Sequence, residues 1–152
     1  MSPALFFLII LWTAYVFAKV EIAIEGKHGW AENLPTWRLP TTNWASIIFF
    51  SGKPATGYHI WMEIFILSML HSVYVYVEPS WMIELQIFAY FFFFSISEDF
   101  LWFALNPAFG IKNFRKEKIW WHRKHWWWIA PRDYYLFLVI GTGLYLLSFV
   151  VR

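Results

Sequence analysis

The chain has 152 residues, of which 60% are hydrophobic, 24% aromatic and only 14% charged. A soluble domain is nearer ~25% charged, so this composition excludes an ordinary water-soluble fold and makes the bilayer the expected solvent. The formal charge is a modest +2, and cysteine is absent, which excludes disulfides, thiolate metal sites and thiol nucleophiles.

Four apolar segments follow one another along the chain, and each reads as a helix. The first covers about residues 3–24 and carries Glu21 and Glu25 one turn apart near its end. A cleaved leader ending at Val16-Phe17-Ala18 is the rival reading, but no Lys or Arg precedes the apolar run, which favours a retained span. The second segment, 58–77, stops before Glu78-Pro79. The third, 81–105, ends at Asn106-Pro107, a helix stop. The fourth, 134–151, holds Gly141 and Gly143, small residues of the kind that let helices approach closely. The expected fold is all-α: one transmembrane domain over residues 1–152, an integral membrane bundle of four transmembrane helices with two long aromatic and basic loops.

Loop charge orients this bundle. Lys19, Lys27, Arg38 and Lys53 lie on or near the first loop, and seven further Lys and Arg lie between Lys112 and Arg132. The short connection around Glu78-Pro79-Ser80 has none, and only Arg152 falls at the other end. The positive-inside rule then places both long loops in the cytoplasm and both termini outside. The expected location is a bacterial inner membrane.

The polar residues inside the spans point to chemistry. "SISEDFLWFALNP" sets Glu98 and Asp99 among aromatic residues, with Glu98 eight residues before Asn106, about 12 Å deeper along a helix. A charge facing lipid near a helix centre costs at least ~2.5–3.5 kcal/mol, so such acids face the interior and find partners. Neighbouring residues on a helix point about 100° apart, so one of the two acids faces the site and the other orients a neighbour or meets a basic group. Glu63 and His71 in the second segment are placed in the same cytoplasmic half. His28 in "EGKHG", and His122 and His125 in "WWHRKHWWW", lie on the two loops.

Histidine with carboxylate and no cysteine suits zinc or iron. The expected ligands are His71, Glu98, His122, His125 and His28, with Glu63 or Asp99 as general base or as hydrogen-bond partner to a ligand. Haem is not expected, because only His71 lies deep in a span. The bland alternatives are specific. Glu98 and Asp99 fit a structural ion pair with a loop cation, and His71 fits a hydrogen-bonded core histidine. Residues Arg115–Trp128 fit an interfacial segment, with tryptophan at the headgroup level and cations toward anionic lipid. "SGKPATG" lacks the spacing of a phosphate loop, and no zinc-protease or serine-elbow motif occurs. The basic run is too aromatic for nucleic-acid binding.

"EIAIEGKHGWAENLPTWR" and "LWFALNPAFGIKNFRKEKIWWHRKHW" resemble phrases of small, uncharacterised multi-pass membrane proteins of bacteria. The resemblance covers under half of the chain. It implies one intact membrane protein and transfers no catalytic residue. In topology and loop histidines the chain also resembles membrane desaturases and hydroxylases, but it has five histidines where their clusters use roughly eight or more. Two functional readings follow. One is a membrane-embedded His/carboxylate metal-binding protein, a hydrolase if the metal is zinc or an oxidoreductase if iron, acting on a lipid or other amphiphile. The other is a non-catalytic small subunit or assembly partner, in a homo-oligomer or a larger membrane complex, whose buried polar groups are structural.

Overall fold

The computed structural model describes residues 2–151. Arg152, assigned above to the outer end, lies outside the described residues, as do Met1 and the side chain of Phe49. The described chain is mainly helical, in five helices: α1 (Pro3–Glu25), α2 (Trp44–Phe49), α3 (Gly57–His71), α4 (Trp81–Leu105) and α5 (Arg132–Leu147). Two-residue strands β1 (Trp126–Trp127) and β2 (Ala130–Pro131) form a small antiparallel hairpin just before α5.

The helix boundaries follow from capping chemistry. Ser2 caps α1 by accepting the Leu5 N–H, and Pro3 occupies the first turn, where a missing N–H costs nothing. Gly26, at φ 66°, ends α1 in a conformation that favours glycine. Ser80 caps α4 through the Ile83 N–H, and Glu84 lies in the first turn, where the helix dipole favours a carboxylate. Asn106 ends α4, and its Nδ2 donates to Gly26 O at 2.8 Å, tying the ends of α1 and α4 together.

Helices α1, with 23 residues, and α4, with 25, are long and apolar enough to cross a membrane. The other two expected spans are shorter. Helix α3 has 15 residues and then tightens into a 3-10 turn at Ser72–Val75, and α5 has 16, against the ~20 that a span usually needs.

Helix α4 packs along its length against α1 on one side and α5 on the other, whereas α3 leans on α4 over a short stretch. The small side chains Ala14 and Ala18 of α1 and Ala89 of α4 are fully buried, which lets these helices approach closely. One apolar cluster, built on Phe6, Ile10, Phe93, Phe94 and Tyr145, joins α1, α4 and α5. A second, built on Trp30, Phe50, Trp102, Phe103, Ile119 and Trp121, seats the two long loops on the ends of α1 and α4.

The two glycines of α5 differ. A methyl group on Gly141 would meet the Phe93 ring at 3.2 Å, so the close contact is real there, but nothing lies within 4 Å of the corresponding position at Gly143. Gly143→Ala is expected to stabilise the detergent-solubilised protein by about 0.5–1 kcal/mol, the usual helix gain over glycine. Gly141→Ala is expected to give no gain, and comparing the two unfolding midpoints checks this.

Candidate functional site

Between the two apolar clusters lies a largely enclosed cavity of about 110 Å³. Four helix ends converge on it. The last turns of α1 bring Glu21 and Glu25, the start of α3 brings His59 and Glu63, the last turns of α4 bring Glu98 and Asp99, and the start of α5 brings Asp133 and Tyr134. The loops roof it with Trp30, Lys53, Trp121 and His122.

Glu98 and Asp99 both line this space, from different sides. Glu98 is buried and faces Glu21. Asp99 turns toward the roof and α5: Tyr134 Oη donates to its Oδ2 at 2.5 Å, and His122 Nε2 lies 3.5 Å from the same oxygen. The roughly 100° between successive side chains thus lets the two acids line one cavity while meeting different partners.

Other polar groups are held across elements. Lys53 Nζ sits 3.4 Å from Asp133 Oδ2 and 4.4 Å from the centre of the Trp30 ring. His59 stacks on Trp30 with ring centroids 4.1 Å apart, accepts or donates at Thr56 Oγ1 (2.7 Å), and has its Nε2 3.7 Å from Glu25 Oε1. Glu25 also accepts the Ala31 N–H, which fixes the start of the first loop. Tyr58 Oη donates to Glu21 Oε1 at 3.3 Å.

Six carboxyl groups therefore share this space with a single ammonium, that of Lys53. Five buried atoms along its walls have no hydrogen-bond partner among the described residues: Glu63 Oε2, Glu98 Oε1, Asp133 Oδ1, His122 Nε2 and the N–H donor Trp102 Nε1. Burial pushes the His122 imidazole below its usual range, and the Lys53 charge adds to this against the opposing pull of Asp99. His122 is thus neutral near pH 7, the form in which imidazole accepts a hydrogen bond or binds a metal.

The structure gathers some of the expected residues and separates others. Glu63, Glu98, Asp99 and His122 line the cavity, whereas His71, His125 and His28 do not. His71 belongs to the opposite end of the bundle, not to the same half as Glu98. Its Nε2 lies 3.1 Å from Glu84 Oε1 at the start of α4, and Tyr74 Oη donates to the other oxygen of Glu84 at 2.6 Å. The reason is length: twelve residues separate His59 from His71, about 18 Å of helix. His28 sits in an exposed turn, 3.6 Å from Glu32. His122 and His125 would share a face only if their stretch were one helix. It is a 3-10 turn at Arg123–His125 leading into the hairpin, which sends His122 into the cavity and His125 against Gly52.

Glu21, Glu25, Lys53, His59, Asp133 and Tyr134 complete the site without having been assigned to it from sequence. The signal for two of them was the spacing of Glu21 and Glu25, four apart on an otherwise apolar helix, which puts both on one face. Among the described residues, no group of three or more His, Asp or Glu is converged to hold a metal ion. The groups surround the space instead.

No family model, curated protein or solved structure matches the chain.

Proposed function

We propose that this is a membrane-embedded His/carboxylate protein whose cavity binds a divalent metal, zinc or iron, in the service of an enzyme acting on an amphiphile at the cytoplasmic side. The observation that carries the reading is the set of unpartnered buried atoms, Glu63 Oε2, Glu98 Oε1 and His122 Nε2, opening on one cavity rich in carboxylates. A buried acceptor without a partner is costly, and a cation in the cavity would satisfy all three. Glu63, Glu98 and His122 are the proposed ligands, which leaves coordination positions open as catalytic sites do. Long glutamate side chains close on an ion by rotamer changes. Asp99, held by the Tyr134 hydroxyl, is the proposed general base. When bound, the metal would supply Lewis-acid activation of water or oxygen.

In this reading α1, α3 with its 3-10 turn, α4 and α5 all cross a bacterial inner membrane, with both termini outside. The exposed Trp120, Trp127 and Trp128 rest at the level of anionic headgroups.

The test is thermal unfolding of the detergent-solubilised protein with and without added zinc or iron(II). At metal concentrations 100 times Kd, binding contributes about 2.7 kcal/mol, so the midpoint of the wild type rises and those of Glu98→Gln and Glu63→Gln do not. A specific observation favours a second reading, a structural subunit: several cavity groups are already paired across elements, as in Lys53 with Asp133 and His59 with Glu25. A folded wild type that gains nothing from metal supports that reading instead.

A further inference from the structure

A second depression lies beside the first. It is an open groove of about 560 Å³ between the first loop and the start of α3, lined mainly by Leu34, Pro35, Trp37, Trp61 and Met62. Its volume falls within the ~300–1,000 Å³ of small-molecule sites, whereas the 110 Å³ cavity is too small for anything beyond an ion with a few waters or a small polar head. The two spaces are neighbours. Met62 lines both, and Tyr58, which lines the groove, reaches through to Glu21 with its hydroxyl.

We propose that this groove holds the alkyl chain of a single-chain amphiphile whose polar head enters the cavity past Met62; this rests on the functional reading above and names the substrate class it implies. Two of the polar side chains of the groove are already committed. Thr36 Oγ1 accepts the Tyr58 N–H at 2.9 Å, and the Tyr58 hydroxyl is held by Glu21. What remains for a ligand is a mainly apolar floor of Leu34, Pro35, Met62 and the two indoles, which suits methylenes better than a polar occupant. Trp37 on the first loop and Trp61 near the start of α3 are half or more exposed, the level at which tryptophan marks the membrane boundary and a lipid chain arrives. Gly57 shapes the wall: a methyl group there would come within 2.5 Å of Trp37 Nε1, so the absence of a side chain is what lets the indole lie against α3.

The test is photolabelling of the detergent-solubilised full chain with a diazirine-bearing hexadecanol, mapped by mass spectrometry and competed with unlabelled hexadecanol. The expected result is saturable labelling concentrated on residues 34–37 and 57–62. Met62→Trp fills the shared wall and weakens labelling by about tenfold, the loss of about two buried methylenes, while Met62→Leu retains it. Trp37→Ala, a surface change that keeps the helix intact, weakens labelling independently. Labelling that is unsaturable, spread over the exposed faces of α1, α3 and α5, or unchanged in Met62→Trp and Trp37→Ala overturns the proposal. Metal content measured on the same samples separates the two readings. Saturable groove labelling with no metal overturns the metal reading and keeps the groove, whereas bound metal with unsaturable labelling does the reverse.

Discussion

Lys53→Met is expected to destabilise the folded protein by about 3–5 kcal/mol, the usual consequence of removing one member of a buried ion pair. Lys53 is only 12% exposed and Asp133 8%. Lys53 is the one ammonium among the six carboxyl groups around the cavity. Without it, Asp133 retains, among the described residues, the more distant Arg132 Nε at 3.9 Å, and the Trp30 face loses its cation. The cost arises from the stranded carboxylate more than from the lost contact. Lys53→Met combined with Asp133→Asn is therefore expected to recover most of the loss. Equilibrium unfolding of the single and double variants in detergent measures both effects, and a double variant no more stable than Lys53→Met contradicts the pairing.

Gly29→Ala is expected to be nearly as damaging, by about 2–5 kcal/mol. Gly29 has φ +68°, and a methyl group there would lie 2.5 Å from the end of the Trp121 ring and 2.8 Å from that of Trp102. The left-handed backbone costs a non-glycine residue about 1–2 kcal/mol, and overpacking a filled core adds about 1–3 kcal/mol. Gly26→Ala is the informative comparison. Gly26 also has positive φ, but nothing lies within 4 Å of its would-be methyl group, so only backbone strain of about 1–3 kcal/mol applies. If the loops are seated on α1 and α4 through Trp121 and Trp102, Gly29→Ala lowers the unfolding midpoint more than Gly26→Ala does. Equal shifts would show that the indoles yield and that the loops are loosely held.

What the sequence made legible was the part governed by local chemistry. The expected bounds of the third span, Trp81 to Leu105, coincide with α4 because Ser80 caps one end and Asn106-Pro107 stops the other. The first span was read nearly to its end because Val20, Ile22 and Ile24 carry the apolar pattern on to Glu25, where α1 ends. The end of α3 was not legible. Val73 to Val77 is as apolar as the helix before it, and nothing in that composition distinguishes a 3-10 turn from a continuing span. The stretch around His122 was opaque for a related reason. In "WWHRKHWWW" buried Trp121 and His122 adjoin exposed Trp120, so no period reveals which rings point inward. At the site, Glu98, Asp99, Glu63 and His122 were accessible because charge in an oily context demands a partner. Lys53 and Asp133 were not, since both lay outside the expected spans and read as ordinary surface charges, and only the folding of the first loop against the start of α5 joins them.

The measurement that bears most directly on the central claim is elemental analysis of purified, metal-supplemented protein, comparing the wild type with Glu98→Ala, His122→Ala and His71→Ala. A cavity that binds metal through Glu98 and His122 predicts near-stoichiometric zinc or iron in the wild type, loss of it in Glu98→Ala and His122→Ala, and retention in His71→Ala, whose imidazole is paired with Glu84 at the other end of the bundle. Folded wild-type protein without metal, or metal kept in Glu98→Ala and lost in His71→Ala, would contradict the account.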